Sequence, residues 1–272
     1  MRSELLKFQP ELINIAQRAS EAILRLFKNR QMLTIQTKED QSPVTAADLA
    51  ASQILTEGLQ QLTPEIPVIS EESQAPTWEE RQKWPAYWLL DPLDGTKQFI
   101  QGHDQFVINI ALIENHRPVV GLIYIPVMAE CYYATVAMGA VKQDASGKIA
   151  ALALNTTPSD ATVILASRRI NQDQAQAYFG QLGPLVFNYL SSAWKFAQLA
   201  EGAADIVPRF GETYEWDTAA GQCILEQVGG GIFDLQGKAL RYNTQASFIN
   251  PHFIAIRDKQ RLYPRLPWRA VE

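Results

Sequence analysis

The chain is poor in the residues that most familiar catalytic chemistries use. Its two cysteines, Cys131 and Cys223, lie far apart in apolar surroundings. They read as reduced, buried thiols rather than a disulfide. The three histidines, His103, His116 and His252, share no metal-like spacing. There is no G-x-x-x-x-G-K-[ST] phosphate loop, no G-x-G-x-x-G fingerprint and no G-x-S-x-G elbow. Positive charge is in deficit, with 24 Lys and Arg against 29 Asp and Glu, a net charge of −5. Nonspecific binding to a nucleic-acid polymer or a membrane surface therefore has no electrostatic basis. No apolar run reaches the roughly 20 residues of a membrane-spanning helix. The start, MRSELLKFQPEL, is mixed and charged, unlike a signal peptide. A cytoplasmic protein is expected, as a monomer or homodimer.

What remains is ample for a large core: 272 residues, 47% hydrophobic, only 19% charged and without low-complexity tracts or internal repeats. Residues 10–29 carry one apolar stripe (Leu12, Ile15, Ala16, Ala19, Ile23, Leu26, Phe27) and predict a helix; residues 45–62 predict a second. Strands are expected at 32–40, 66–70 and 84–90, and a β-meander over 105–137. The polar, turn-rich stretch 139–160 reads as a lobe boundary. Beyond it strands and helices alternate, and Gly229–Gly231 read as a helix stop. We expect one bilobal unit, with an α+β lobe over 1–155 and an α/β lobe over 156–272.

Carboxylates at element ends are what the chain has in quantity. WLLDPLDGTKQFI (88–100) runs an apolar strand into Asp91 and Asp94. Pro92 favours an extended Asp91 and Gly95 permits a sharp turn. The two carboxylates and the Leu93 carbonyl can then converge, an oxygen set suited to a hard cation such as Mg²⁺. A helix starting after Gly95 would aim the Gly95 and Thr96 amides at a phosphate. The plain alternative is an Asx turn with Asp94 as an N-cap. Glu71 and Glu72 follow a short strand, Thr45-x-x-Asp48 has capping-box spacing, and Asp217 opens a helix whose next turn is Ala219, Ala220 and Gly221. Each has an ordinary structural explanation, and together they propose one site that like-charge repulsion would disfavour without cations.

The set VISEES (68–73), DPLDGTK (91–97), K-x-D-x-S-P-V-T-x-A-D (38–48) and EWDTAAG (215–221) resembles the inositol monophosphatase-like, Mg²⁺-dependent, Li⁺-sensitive phosphatases. DGTK, SSAWKF (191–196) and PRFG (208–211) are most similar to their CysQ-type 3′(2′),5′-bisphosphate nucleotidase branch. The resemblance implies a layered α/β/α/β/α sugar-phosphatase sandwich, α+β with an α/β half. It implies that Glu71, Asp91, the Leu93 carbonyl, Asp94 and Asp217 hold two to three Mg²⁺, and that Asp48 and Thr96 orient and deprotonate the attacking water. Glu72 neighbours a ligand and has no direct role. The simple inositol phosphatases place a sugar-contacting glutamate where this chain has Arg209.

The implied substrate is a small phosphorylated nucleotide, adenosine 3′(2′),5′-bisphosphate or its 5′-phosphosulfate relative, losing its 3′(2′)-phosphate. Gly95 and Thr96 would bind the reacting phosphoryl group. Arg168, Ser192, Lys195 and Arg209 are candidates for substrate and second-phosphate contacts; Lys195 could instead pair with Glu201 or lie in solvent. Inositol monophosphatase or fructose-1,6-bisphosphatase activity is the alternative on this fold. A haloacid dehalogenase-type mechanism needs D-x-D, whereas the spacing here is D-x-x-D. A non-catalytic anion-binding protein would not be expected to keep every matched carboxylate.

Overall fold

The computed structural model describes residues 5, 7–30, 36–37, 43–154, 160–168 and 170–268. The 38–42 part of the first acidic motif, and most of the strand expected at 32–40, lie outside them. Helix α1 (Phe8–Lys28) buries the predicted stripe and starts two residues early. Pro10 sits in its first turn, where backbone N–H groups have no intrahelical acceptor to lose. A two-residue pair follows, β1 (Gln36–Thr37) with β2 (Pro43–Val44). Helix α2 (Ala46–Leu62) is capped by Thr45, whose Oγ1 accepts from Ala47 N at 3.1 Å.

Seven strands form the first sheet in chain order: β3 (Val68–Ser70), β4 (Ala86–Asp94), β5 (Val107–Glu114), β6 (Arg117–Ile125), β7 (Glu130–Thr135), β8 (Gly139–Gln143) and β9 (Ile149–Leu152). Only β3 and β4 run parallel; short helix α3 (Trp78–Arg81) lies in the connection between them. The meander thus extends through residues expected to be turn-rich. β9 is the edge and is largely exposed, so burial imposes no period on its sequence.

A second sheet runs in the order β11 (Leu185–Tyr189), β10 (Thr162–Ala166), β12 (Ile206–Arg209), β14 (Phe253–Ile256), β13 (Gly231–Asp234). β10 is parallel to β11 and β12, and β14 antiparallel to β12 and β13. Helices α5 (Gln172–Phe179), α6 (Trp194–Glu201), α7 (Glu215–Gln227) and α8 (Lys259–Leu262) complete this half.

Strand alternation sets the layers. Trp88, Leu90, Ile108, Ile110 and Tyr124 meet Leu12, Ile15, Leu55 and Leu59 of α1 and α2. Tyr87, Leu89, Ala111, Ile123 and Tyr132 face the opposite way, into α6 and α7 at Phe196, Ala219, Ala220 and Cys223, and the far side of those helices meets Leu165, Val207 and Ala255. Ile164, Ala166, Ile206 and Ile254 close on Ala175 and Phe179 of α5. The fold is an α+β sandwich of helices, sheet, helices, sheet and helices. α7 lies centrally because Gly121 of β6 has no side chain: a Cβ there would stand 2.5 Å from the Ala220 carbonyl oxygen. Gly221 is held in the same way, against the Phe196 ring. The small residues after Asp217 therefore admit the chain's own strand and helix.

Candidate active site

The two aspartates of β4 share a face because of one extra residue. Between the pairs Asp91–Asn109 and Asp94–Val107, β4 spends three residue steps and β5 two. Asn109 and Val107 are two apart and point the same way, so their partners do too. Pro92, with no N–H for a ladder, falls inside this bulge. The Asx-type bond belongs to Asp91, whose Oδ1 accepts from Leu93 N at 3.0 Å. Asp94 is not an N-cap. Gly95 has that place, with φ 106° and a would-be Cβ 2.7 Å from the Gln105 carbonyl oxygen, before the short helix α4 (Thr96–Gln101).

Glu71 arrives by parallel pairing. Ser70 pairs with Leu90, and Glu71 N donates to Leu90 O at 3.1 Å, which sets Glu71 level with Asp91. Asp217 is the third residue of α7, not its N-cap; its Oδ2 accepts from Tyr214 N at 2.8 Å. Asp91, Asp94 and Asp217 each offer a carboxylate oxygen within 4.8 Å of the others. Burial raises the Asp91 pKa well above the ordinary range, and the charges of Glu71, Asp94 and Asp217 raise it further. Asp217 is raised by burial, then by Asp94 and Glu71. Asp94 is raised by burial but eased by Lys195, the Ala193 amide, Asn109 and Arg209. Oxygen-only and mutually repelling, with Asp91 buried and Asp94 and Asp217 half-buried, this donor set fits a hard divalent cation.

Asp48, 1% exposed, uses both oxygens. Oδ2 accepts from Thr45 N (2.8 Å) and Thr45 Oγ1 (2.6 Å); Oδ1 accepts from Thr96 Oγ1 (2.9 Å). Capping box and Asp48–Thr96 pair are one residue's two faces. Burial raises its pKa against those hydrogen bonds.

The cations come from α6 and from the edge of the second sheet formed by the strand ends, where β12 finishes. Lys195 does not pair with Glu201, which takes Lys142 at 2.8 Å. Its Nζ donates to the Ser192 carbonyl at 2.8 Å, and burial lowers its pKa to about 8, with Asp94 opposing and Arg209 assisting. Ser192 adopts a left-handed φ of 58°, and its Oγ is engaged by the Ser191 carbonyl. Arg209 ends β12; Nη2 donates to Glu212 O at 2.8 Å, and its buried Nε lacks a hydrogen-bond partner. Arg168 lies past the end of β10 at that same edge, level with Phe210 by the Ile164–Ile206 register, and is exposed. Among the described residues no hydrogen bond joins it to the carboxylates.

Two contributors escaped the sequence. The Ala193 amide donates to Asp94 Oδ2, and Asn109 Nδ2 approaches that oxygen at 3.5 Å. A backbone donor leaves no trace in a sequence. Asn109 does: it is the one polar residue inside VINIALI (107–113).

Residues 2–265 match the model of the inositol monophosphatase family. The chain belongs to that family. It is 43% identical to the 3′(2′),5′-bisphosphate nucleotidase CysQ of Salmonella typhimurium over 243 residues, covering 89% of this chain and 97% of the relative. The Escherichia coli K12 protein of the same name is 40% identical with the same coverage. A crystal structure of CysQ from Bacteroides thetaiotaomicron superposes with a TM-score of 0.78 at 31% identity, covering 94% of this chain and 98% of that one. Family members of this kind are metal-dependent phosphatases, in keeping with the acidic cluster. Both cysteines are free and buried, and no described helix is long and apolar enough to cross a membrane.

Proposed function

We propose that this protein removes the 3′(2′)-phosphate from adenosine 3′(2′),5′-bisphosphate, and from the corresponding 5′-phosphosulfate, with Mg²⁺ as cofactor. The observation that carries the reading is the pairing of the Asp91–Asp94–Asp217 cluster with two cations, Lys195 of α6 and Arg209 of β12, whose charges reach it. A single phosphate needs the cluster; a second needs the cations.

In this reading Glu71, Asp91, the Leu93 carbonyl, Asp94 and Asp217 hold two to three Mg²⁺. The bound ions supply Lewis-acid chemistry, acidifying water and offsetting charge on the phosphoryl group. Thr96 gives its hydroxyl proton to Asp48 and so presents lone pairs outward. It accepts a proton from the attacking water as its own passes to Asp48 Oδ1. The Gly95 and Thr96 amides hold phosphoryl oxygens. Lys195 and Arg209 hold the remaining phosphate, with Ser192 and Arg168 at the rim. The P–O bond to the sugar breaks as water's oxygen bonds to phosphorus; the departing oxygen takes a proton from a solvent water, and the hydroxide so formed takes the proton held by Asp48, leaving inorganic phosphate and a nucleotide hydroxyl, with no phosphoenzyme. The substrate is a free nucleotide in the cytoplasm, not a polymer or a membrane component, and Li⁺ inhibits.

The test is phosphate release from adenosine 3′,5′-bisphosphate and from inositol 1-phosphate, with Mg²⁺, with Li⁺ and with a chelator. We expect the nucleotide to turn over faster and the chelator to stop it. Faster turnover of inositol 1-phosphate would overturn the substrate assignment in favour of an inositol monophosphatase.

A further inference from the structure

Among the described residues Arg81 is the largest charged side chain closed off from solvent, at 1% exposure, and the chemistry proposed for the site does not use it. Its guanidinium lies between two rings, 4.0 Å from the centroid of Phe248 and 4.8 Å from that of Trp78. Nη1 donates to Asn243 Oδ1; Nη2 donates to the carbonyls of Ala246 and, at 3.1 Å, Gln245. Asn243 Nδ2 returns a bond to the Arg81 carbonyl at 2.7 Å. A short helix in the connection between two ligand-bearing strands, β3 and β4, is thereby fastened to the 243–250 segment.

That segment in turn grips the first turn of α7. Asn243, left-handed at φ 55°, aims its N–H at both oxygens of buried Glu215, 2.9 Å from each. Glu215 N donates to the Phe248 carbonyl at 2.8 Å, and Asn250 Nδ2 bonds the Tyr214 carbonyl and Thr218 Oγ1. Trp216 packs on Phe248 and stacks on Tyr214. Every anchor lies within three residues of Asp217. The Arg81 and Glu215 charges also offset one another in a buried setting, where losing one partner exposes the other's desolvation cost.

We propose that Arg81 is a positioning residue for the metal centre: through Asn243 and Glu215 it fixes the α7 turn that presents Asp217 to Asp91 and Asp94. This rests on the metal-dependent reading above and adds a residue to it. A partner of this sort that orients a ligand costs metal affinity rather than substrate affinity when removed.

The experiment measures Mg²⁺ binding by calorimetry, and the nucleotide KM at saturating Mg²⁺, for wild type, Arg81→Met, and Arg81→Met with Glu215→Gln. For Arg81→Met we expect Mg²⁺ affinity to fall by about 10- to 100-fold, with KM within about twofold. The added Glu215→Gln should restore much of the lost affinity, because it removes the stranded charge. A folded Arg81→Met that binds Mg²⁺ like wild type overturns the proposal, as does a loss confined to KM. If Arg81→Met does not fold, Asn243→Gly decides. It keeps the left-handed backbone and the N–H to Glu215 but cuts both bonds between Arg81 and the side chain at 243, leaving those to Gln245 and Ala246, so it should weaken Mg²⁺ in the same direction, and unchanged binding overturns the proposal. Failure of wild type to bind Mg²⁺ would overturn both readings. Mg²⁺ binding without nucleotide turnover would overturn only the substrate assignment.

Discussion

Thr96 Oγ1 lies 2.9 Å from Asp48 Oδ1, while Oδ2 of that carboxylate accepts from both N and Oγ1 of Thr45. The helix cap locks the acceptor in place, so the proposed proton route from Thr96 needs no side-chain rearrangement.

Thr96→Val, which keeps the shape and deletes the hydroxyl, should therefore lower kcat by about 10²- to 10⁴-fold with little change in Mg²⁺ binding. Asp48→Asn should lose as much activity, since the amide is a poor proton acceptor. Steady-state kinetics beside a Mg²⁺ titration checks both; a Thr96→Val enzyme with wild-type turnover would remove Thr96 from the proton route.

Asp94→Asn should abolish most activity in a protein that still unfolds cooperatively. Asp91 allows a sharper test, because burial and the charges of Glu71, Asp94 and Asp217 all raise its pKa. With chelator present, the folded state keeps protons on Asp91 and Asp217 that the unfolded chain releases near its ordinary value of 3.8. Stability from this source is full below that value and is lost as pH rises through the elevated folded values. Urea midpoints across pH should then show wild type losing stability, relative to Asp91→Asn, as pH rises above about 4. Mg²⁺ should abolish that difference in slope by keeping the carboxylates ionised. Parallel curves in chelator would contradict the charge crowding.

Arg209 acts on Asp94 and Asp217 through its charge, and its buried Nε lacks a hydrogen-bond partner. Arg209→Met should raise KM for adenosine 3′,5′-bisphosphate by about 10- to 100-fold, the worth of one charged hydrogen-bonding contact. A substrate with a single phosphate should be affected far less. Equal losses on both would assign Arg209 to the reacting phosphate.

Gly121→Val pushes two methyl groups toward the Ala220 carbonyl, where even a Cβ would stand at 2.5 Å. Overpacking there should cost about 1–3 kcal/mol of stability, read as a lower urea midpoint. Because α7 carries Asp217, Mg²⁺ affinity should fall as well.

Long amphipathic periods were legible: α1 and α2 follow their apolar spacing, and β5 to β7 follow their β-branched runs. β8 and β9 were not, since a strand that is mostly half-buried and an exposed edge strand have little burial to pattern them. The carboxylates were visible as residue types at element ends, but which of them meet is decided by parallel pairing at Ser70–Leu90 and by the β4 bulge, neither of which one strand's sequence can state. Lys195 looked equally suited to Glu201, and only the fold shows Lys142 already occupying that glutamate. Arg81 had no signal at all, because its partners lie more than 160 residues away.

The bulge makes the site depend on counting. Straightening β4 into regular pairing, with Asp91 still opposite Asn109, would leave Asp94 three steps away and swing its carboxylate through the sheet, toward the apolar layer under α1 and α2. No side-chain replacement elsewhere could retrieve it. The shared face of the two carboxylates is thus written in the backbone path through Pro92 and Leu93, not in the acidic residues themselves.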